Sequence, residues 1–122
     1  MIATIPVGSL PDGIAVTPDG ARVYVANLGS SSVSVIDTAT LAVAATIPLA
    51  VPGPIAITPD GTRAYVTQNF AGLVSAIDTA TNTVIAAIPV GPAPFAIATT
   101  TDGTRAWVGA AAGGTIFGID TA

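Results

Sequence analysis

The chain has 122 residues, of which 51% are hydrophobic and 8% are charged, a composition that excludes an intrinsically disordered protein. Its net charge is −4 and its three basic residues are scattered arginines, which excludes the basic stripe that a nucleic-acid partner requires. Cysteine is absent, which excludes a disulfide framework.

The apolar residues do not predict a membrane span. The longest apolar region, residues 41–57, is interrupted by Pro48, Pro52, Gly53 and Pro54, whereas a spanning helix needs roughly 20 continuous apolar residues. The N-terminal stretch MIATIPVGSL lacks the basic region and the long apolar run of a signal peptide, so none is predicted.

In chain order, the first third of the chain predicts four short strands. They run from Ile2 to Val7, from Gly13 to Thr17, from Arg22 to Ala26 and from Val33 to Asp37. Each is about five residues long and is bounded by Gly, Pro, Asn, Asp or Ser, which is typical of antiparallel strands joined by tight turns. The stretch LAVAAT from Leu41 begins the next strand, and no stretch has helical periodicity.

The same elements then return twice. TPDGARVYVAN begins at Thr17, TPDGTRAYVTQN at Thr58 and the looser TTDGTRAWVGAA at Thr100, so the period is 41 and then 42 residues. The chain is therefore interpreted as one unit, 1–122, made of three repeats with approximate limits 2–43, 44–85 and 86–122. The third copy departs most from the pattern, and its GAAAGG stretch, residues 109–114, is predicted to be a loop.

The pattern YVAN…VSVID, with TPDG before it and IPVG after it, resembles the YVTN-type β-propeller repeat, a relative of the WD40 and lactonase-like propellers, over nearly the whole chain. Four strands in about 40–45 residues is also the period of a propeller blade. The fold class predicted is therefore all-β, with three four-stranded antiparallel blades. The resemblance also implies a protein of the cell surface or a secreted protein, although the sequence itself leaves the compartment open.

Every charged residue except Asp12 recurs at an equivalent position of each repeat, whereas a catalytic group is normally single, so the recurring groups are predicted to be structural. The aspartate and glycine of each PDG or TDG turn are predicted to shape that turn: Asp19 and Gly20, Asp60 and Gly61, and Asp102 and Gly103. The arginine and aspartate that face each other on neighbouring strands are predicted to form ion pairs: Arg22 with Asp37, Arg63 with Asp78, and Arg105 with Asp120.

The predicted topology sorts the loops into two ends. The PDG and DTAT turns lie at one end, called here the charged end, and the loops that differ between blades lie at the other, called here the variable end. Variable loops on a fixed scaffold are where recognition usually resides. The variable end is therefore the candidate binding face for a protein or small ligand, with Asp12, Leu28 and Phe70 as candidate contacts.

The sequence predicts that the chain is not an enzyme but a non-catalytic scaffold or binding module. Without His, Cys and Lys the usual nucleophile–base pairs cannot form. No dense run of oxygen ligands indicates a calcium site, and neither a metal nor a cofactor is predicted. Tyr24, Tyr65 and Trp107 share one blade position and are predicted to pack between blades rather than to form a ligand cage.

Three blades are too few to close a ring, since propellers typically have about 4–8. The strand from Ile2 to Val7 corresponds to the last strand of a repeat, and the third repeat lacks that strand. The sequence therefore predicts a homodimeric six-bladed propeller, in which the N-terminal strand of each chain completes the last blade of the other. The alternatives are three chains with nine blades, or a fragment of a larger surface or lactonase-like propeller whose active or binding site lies partly outside this chain.

Overall fold

The computed structural model of the chain describes residues 3–110 and 114–121, and these form three antiparallel sheets. Blade 1 contains β1 (Pro11–Val16), β2 (Arg22–Asn27), β3 (Ser32–Asp37) and β4 (Ala42–Pro48). Blade 2 contains β5 (Pro52–Ile57), β6 (Arg63–Gln68), β7 (Leu73–Asp78) and β8 (Thr83–Pro89). Blade 3 contains β9 (Pro94–Thr99), β10 (Arg105–Ala110) and β11 (Thr115–Asp120). In each sheet the strands pair in chain order, which confirms the predicted all-β propeller architecture.

Helical structure within the described ranges is limited to two single turns of 3-10 helix, Leu28–Ser30 and Asn69–Ala71, which join the second strand to the third in blades 1 and 2. No helix of these ranges is long and apolar enough to cross a membrane. Of the loop predicted at residues 109–114, the first two residues instead end β10, and residues 111–113 lie outside the described part of the chain.

Residues 3–7 belong to no strand, so the predicted strand over residues 2–7 is wrong for the part that the structure describes. Its sequence corresponds to β4 and β8, the outermost strands of blades 1 and 2. A strand forms only where a neighbouring edge supplies hydrogen-bond partners. The edges of β3 and β7 are already occupied by β4 and β8, and the open edge of β11 belongs to blade 3, two blades away.

The turn between β1 and β2 depends on glycine for its backbone conformation. Gly20 has a φ of +73°, a left-handed conformation that glycine adopts at no steric cost. The two equivalent glycines of the later repeats, Gly61 and Gly103, have φ values of +75° and +73°. The three glycines thus share the same left-handed backbone conformation, while the structural role of the turn aspartates stays a prediction.

The hydrophobic core lies between the blades. Side chains alternate between the two faces of a strand, so a blade presents apolar residues on both faces. One cluster buries Tyr24 and Val33 of blade 1 together with Val66 of blade 2. A second cluster buries Val74 of blade 2 together with Val108 of blade 3. Both faces of blade 2 are thus covered. On the outer face of blade 1, Val25 and Ile36 are buried while Ile14 and Val16 of β1 are exposed, and on the outer face of blade 3 Trp107 and Ile116 are exposed.

The first strands of the blades lie side by side, β1 against β5 and β5 against β9. Their close approach depends on Gly13, because a Cβ atom added there would lie 2.3 Å from the carbonyl oxygen of Gly53. Each of these strands begins at the variable end. Their first residues therefore meet where the candidate binding face was predicted.

Candidate functional site

A cleft of about 250 Å³ opens at the variable end, with walls from all three blades. Asp12 and Leu28 of blade 1 and Phe70 of blade 2 all line it, so the three residues predicted as contacts lie around one concave site. Their role in binding stays a prediction. Two further parts of the wall were missed from the sequence: Phe95 and Asn69.

The first strand of every blade is bulged at this cleft. In β1 the register shifts between Pro11 and Gly13, which leaves Asp12 as the extra residue. The strands β5 and β9 shift at the equivalent place, where Gly53 and Phe95 stand. Bulges re-aim side chains and are common beside functional sites. The same position of the repeat thus holds the carboxylate of Asp12 in blade 1, Gly53 without a side chain in blade 2 and the phenyl ring of Phe95 in blade 3, and all three line the same cleft.

The residue directly before the first strand of each blade has an unusual backbone conformation. Leu10, Val51 and Ala93 have φ values of +50°, +43° and +57°, and each stands directly before a proline. Such values are uncommon for residues with a Cβ atom, and for a β-branched valine they are true outliers. Conformations of this kind persist only where the surroundings impose them, and they cluster at functional sites.

Hydrogen bonds hold the lip of the cleft in this conformation. The Leu28 N–H donates to the carbonyl oxygen of Leu10 at 3.0 Å. The Asn69 side-chain amide Nδ2 donates to the carbonyl oxygen of Pro94 at 3.2 Å. Each bond ties the loop after a second strand to the start of a first strand. These bonds connect the loops that form the walls of the cleft within one chain.

The cleft is largely apolar, and Asp12 and Asn69 are polar side chains of its wall. Phe70 is 79% exposed and Phe95 is 52% exposed, so both rings are available to a ligand. Proline residues at positions 52, 54 and 94 form much of the remaining wall and have no backbone N–H to donate. Among residues 3–110 and 114–121, Asp12 is the one charged residue that lines the cleft.

The charged end carries a second cleft, of about 340 Å³, between blades 1 and 2. Its polar groups are engaged within the chain. The Arg22 guanidinium Nη1 donates to the carbonyl oxygen of Thr79 at 2.9 Å, which links the two blades. The Asp19 carboxylate Oδ1 accepts from the Thr17 hydroxyl at 2.7 Å and from the Ala21 N–H at 2.9 Å. The polar side chains of Arg22 and Asp19 thus already have partners within the chain, and their structural role stays a prediction.

The turn carboxylates are stabilised in their charged form. The Thr17 hydroxyl and, next, the Ala21 N–H lower the pKa of Asp19 below its ordinary value. In the second and third repeats the threonine two residues before the aspartate contributes most, and the residue two positions after it donates both its N–H and its hydroxyl. These bonds bring the pKa values of Asp60 and Asp102 to about 2. The carboxylates of Asp60 and Asp102 therefore remain ionised well below their ordinary pKa, and the pKa of Asp19 is shifted in the same direction.

The register places each predicted ion-pair partner directly opposite the other: Arg22 opposite Asp37, Arg63 opposite Asp78, and Arg105 opposite Asp120. The hydrogen bonds of the first pair lead elsewhere, since Arg22 binds the Thr79 carbonyl and Asp37 Oδ1 accepts from the Ala39 N–H at 2.8 Å. The ion pairs themselves stay a prediction. A bond not anticipated from the sequence joins the Tyr24 hydroxyl of blade 1 to Asn82 Oδ1 of blade 2 at 2.9 Å.

Within residues 3–110 and 114–121, no group of three or more His, Cys, Asp or Glu side chains is placed to hold a metal ion.

One of the two residues missed from the sequence, Phe95, could have been found from its departure from the repeat. Phe95 occupies the repeat position at which Asp12 and Gly53 stand, so it departs from the pattern at a position that proved to be a bulge.

Comparison with known proteins agrees with the fold. Residues 4–105 match the family model of the YNCE-like beta-propeller. No curated protein matches the chain. The structure of hydrazine synthase from Kuenenia stuttgartiensis is similar with a TM-score of 0.87 and 30% identity, over 99% of this chain and 36% of that one.

Two further solved structures show the fold alone. A functionally unknown protein from Desulfotomaculum acetoxidans DSM 771 is similar with a TM-score of 0.73 and 21% identity, over 93% of this chain and 40% of that one. The β-propeller domain of Cps50 (Swd1) from Myceliophteria thermophila has a TM-score of 0.84 and 10% identity, over 98% of this chain and 36% of that one. The chain thus spans between 36% and 40% of the length of these structures.

The likeness to hydrazine synthase corrects one prediction. The sequence predicted that the chain is not an enzyme, and this prediction is wrong, because blades similar to these at 30% identity belong to an enzyme. The absence of His, Cys and Lys excludes only the familiar nucleophile–base pairs. The propeller fold by itself assigns neither a catalytic nor a binding role.

Proposed function

Since the chain belongs to the YNCE-like β-propeller family, we propose that it is a ring-forming recognition module. Two copies close a six-bladed propeller, and the variable end of that ring is its binding surface. The matched family model covers 102 of the 122 residues, from residue 4 to residue 105. The ring is the part of the proposal that the blade surfaces support most directly.

The main support for the closed ring is the exposed apolar face of blade 3. Trp107 is 47% exposed and Ile116 is 71% exposed on this face. The residues at the same repeat positions in blade 1 are Tyr24 and Val33, and both have no exposed surface because blade 2 covers them. The open face of blade 3 is therefore equivalent to the face of blade 1 that packs against blade 2.

Blade 1 exposes the β1 part of its opposite face, whereas Val25 and Ile36 on that face are buried. Ile14 is 68% exposed and Val16 is 56% exposed. Their counterparts in blade 2, Ile55 and Ile57, pack in the cluster shared with blade 1. The two open faces are thus related in the same way as the two sides of every blade interface in the chain. A second copy brought head to tail buries both, and a two-fold axis closes the ring.

Strand exchange completes the assembly. Blade 3 has three strands among the described residues, and the outer edge of β11 is the place where a fourth would pair. Residues 2–7 read IATIPV, which resembles the ATIP of β4 and the AAIP of β8. In the proposed dimer this segment pairs with β11 of the other chain and covers an exposed sheet edge.

Light scattering on the purified chain tests the ring. The expected mass is twice the 11.8 kDa of one chain. Ile116→Asp places a charge on the open face of blade 3 and is expected to yield single chains. The matched control is Ile85→Asp on the outer strand β8, where the residue is 48% exposed, and it is expected to remain dimeric. A wild-type chain of single mass contradicts the ring, and a dimer indifferent to Ile116→Asp contradicts the proposed interface.

A second candidate is favoured by the coverage of the matched structures. The chain spans 36% of hydrazine synthase from Kuenenia stuttgartiensis, so three such blades can be part of one longer propeller chain. In that case neighbouring blades of the same chain cover the two open faces. A wild-type chain of single mass favours this candidate over the dimer.

A further inference from the structure

The charged residues of the chain are unevenly divided between the two ends of the blades. Nine of the ten charged residues lie at the charged end of the blades, and the one remaining is Asp12. First and second strands of six residues separate the two ends by about 20 Å. This distance exceeds the Debye length of about 8 Å at physiological ionic strength, so the arginines do not offset the field of Asp12.

The Asp12 carboxylate is also free to accept. Across residues 3–110 and 114–121 it has no hydrogen-bond partner within the chain, whereas Asp19, Asp60 and Asp102 are each bound by a threonine hydroxyl and a backbone N–H. The bulge in β1 directs this residue out of the ladder, at the lip of the cleft. The Asp12 carboxylate can therefore accept a hydrogen bond from a donor group on a ligand.

The rest of the cleft offers acceptors and aromatic faces but few donors. The prolines of its wall have no N–H, and one N–H of the Asn69 amide is already bound to the Pro94 carbonyl oxygen. Phe70 and Phe95 expose their rings on the same cleft. The face of an aromatic ring attracts a cation within about 6 Å of its centre. An anion would meet a carboxylate and no arginine or lysine here.

We infer that the variable-end cleft binds a small organic cation, an ammonium group carried on an apolar or aromatic body. The charge lies against Asp12, and the body contacts Phe70 and Phe95. The inference rests on the proposal that the variable end is the binding surface, but it does not depend on ring closure, because one chain supplies all the residues that line the cleft.

Titration of the full chain with phenethylammonium tests the inference, with backbone amide shifts in NMR as the readout. The matched neutral probe is 2-phenylethanol, and inorganic phosphate is the anionic probe. Phenethylammonium is expected to shift the amides around the cleft and to bind about two- to fivefold more tightly than the alcohol, the factor that one exposed charge–aromatic or charge–charge contact gives. Phosphate is expected to leave these amides unchanged.

Two substitutions separate the parts of the site. Asp12→Asn is expected to remove the preference for the ammonium probe, whereas Phe70→Ala weakens both organic probes. Asp37→Asn at the charged end removes the same charge and is expected to leave the preference intact. Equal binding of the two organic probes, no binding of either in the millimolar range, or equal effects of Asp12→Asn and Asp37→Asn would overturn the inference. None of these results bears on the mass of the assembly, so a failure here differs from a failure of the ring.

Discussion

Val33→Ala tests the idea that the chain is stabilised between its blades. Val33 lies in β3 of blade 1 and has no exposed surface, and the cluster that buries it includes Val66 and Ile77 of blade 2. The substitution removes two buried methyl groups and leaves a cavity at the blade interface. Two packed β-sheets close such a cavity only partly. The loss of stability is therefore expected to include both the transfer free energy of the two methyl groups and the cost of the remaining cavity.

The magnitude follows from the burial. Two methyl groups at about 0.8 kcal/mol each, with a small cavity term, give a loss of about 2 kcal/mol in the free energy of unfolding. Unfolding entropies near 2.1 cal/mol/K per residue give about 0.26 kcal/mol/K for a chain of 122 residues. The melting temperature is therefore expected to fall by about 8 °C, measured by circular dichroism at one fixed protein concentration.

The matched control is Val84→Ala, which removes the same atoms from the outer strand β8, where the side chain is 40% exposed. Its expected cost is within about 0.5 kcal/mol, or roughly 2 °C. Equal melting temperatures for the two variants would refute the reasoning, because they would mean that the interface between blades 1 and 2 contributes no more than the outer rim. A decrease in melting temperature smaller than about 2 °C for Val33→Ala would also refute the reasoning.

Three further predictions concern the polar groups. The folded pKa of Asp60 is about 2, whereas its ordinary value is 3.8, so the stability that its ionisation contributes is present above about pH 4 and is lost as the pH falls towards 2. Melting temperatures measured between pH 6 and pH 2 should therefore decline in that window. The decline should be smaller for Asp60→Asn. Tyr24→Phe removes the bond to Asn82 between blades 1 and 2 and is expected to cost about 1 kcal/mol in chemical denaturation, with an unchanged melt arguing against the bond. A double-mutant cycle on Arg63 and Asp78, which face each other in the register, is expected to give a coupling of about 0.2–1 kcal/mol, and a coupling of zero would remove the predicted ion pair.

Local sequence was sufficient for the turns because their determinants are local. Gly20 supplies the left-handed backbone, and the carboxylate of Asp19 binds groups no more than two residues away. The strand positions of the first repeat were also predicted to within two residues, apart from the first. That segment, residues 2–7, has the composition of an outer strand but no edge to pair with inside its own chain.

The candidate site was predictable only in part. Asp12, Leu28 and Phe70 could be assigned to the variable end from strand topology, and all three line one cleft. Phe95 could not, because a bulge shifts the register there and directs the ring into the cleft. The left-handed backbone at Val51 was equally hidden, since the local preference of valine opposes it and only the surrounding contacts impose it.

The amino-acid sequence by itself determined the period of the repeat, the all-β fold, the repeated turns and the division into a charged and a variable end. These follow from residue patterns that act over a few positions and recur in every blade. Only the tertiary structure decided which blade faces are covered, that residues of three different blades share one cleft, and that Tyr24 reaches across to Asn82. The physical reason is that equivalent residues carry the same local preferences, whereas their burial depends on whether another blade lies against them.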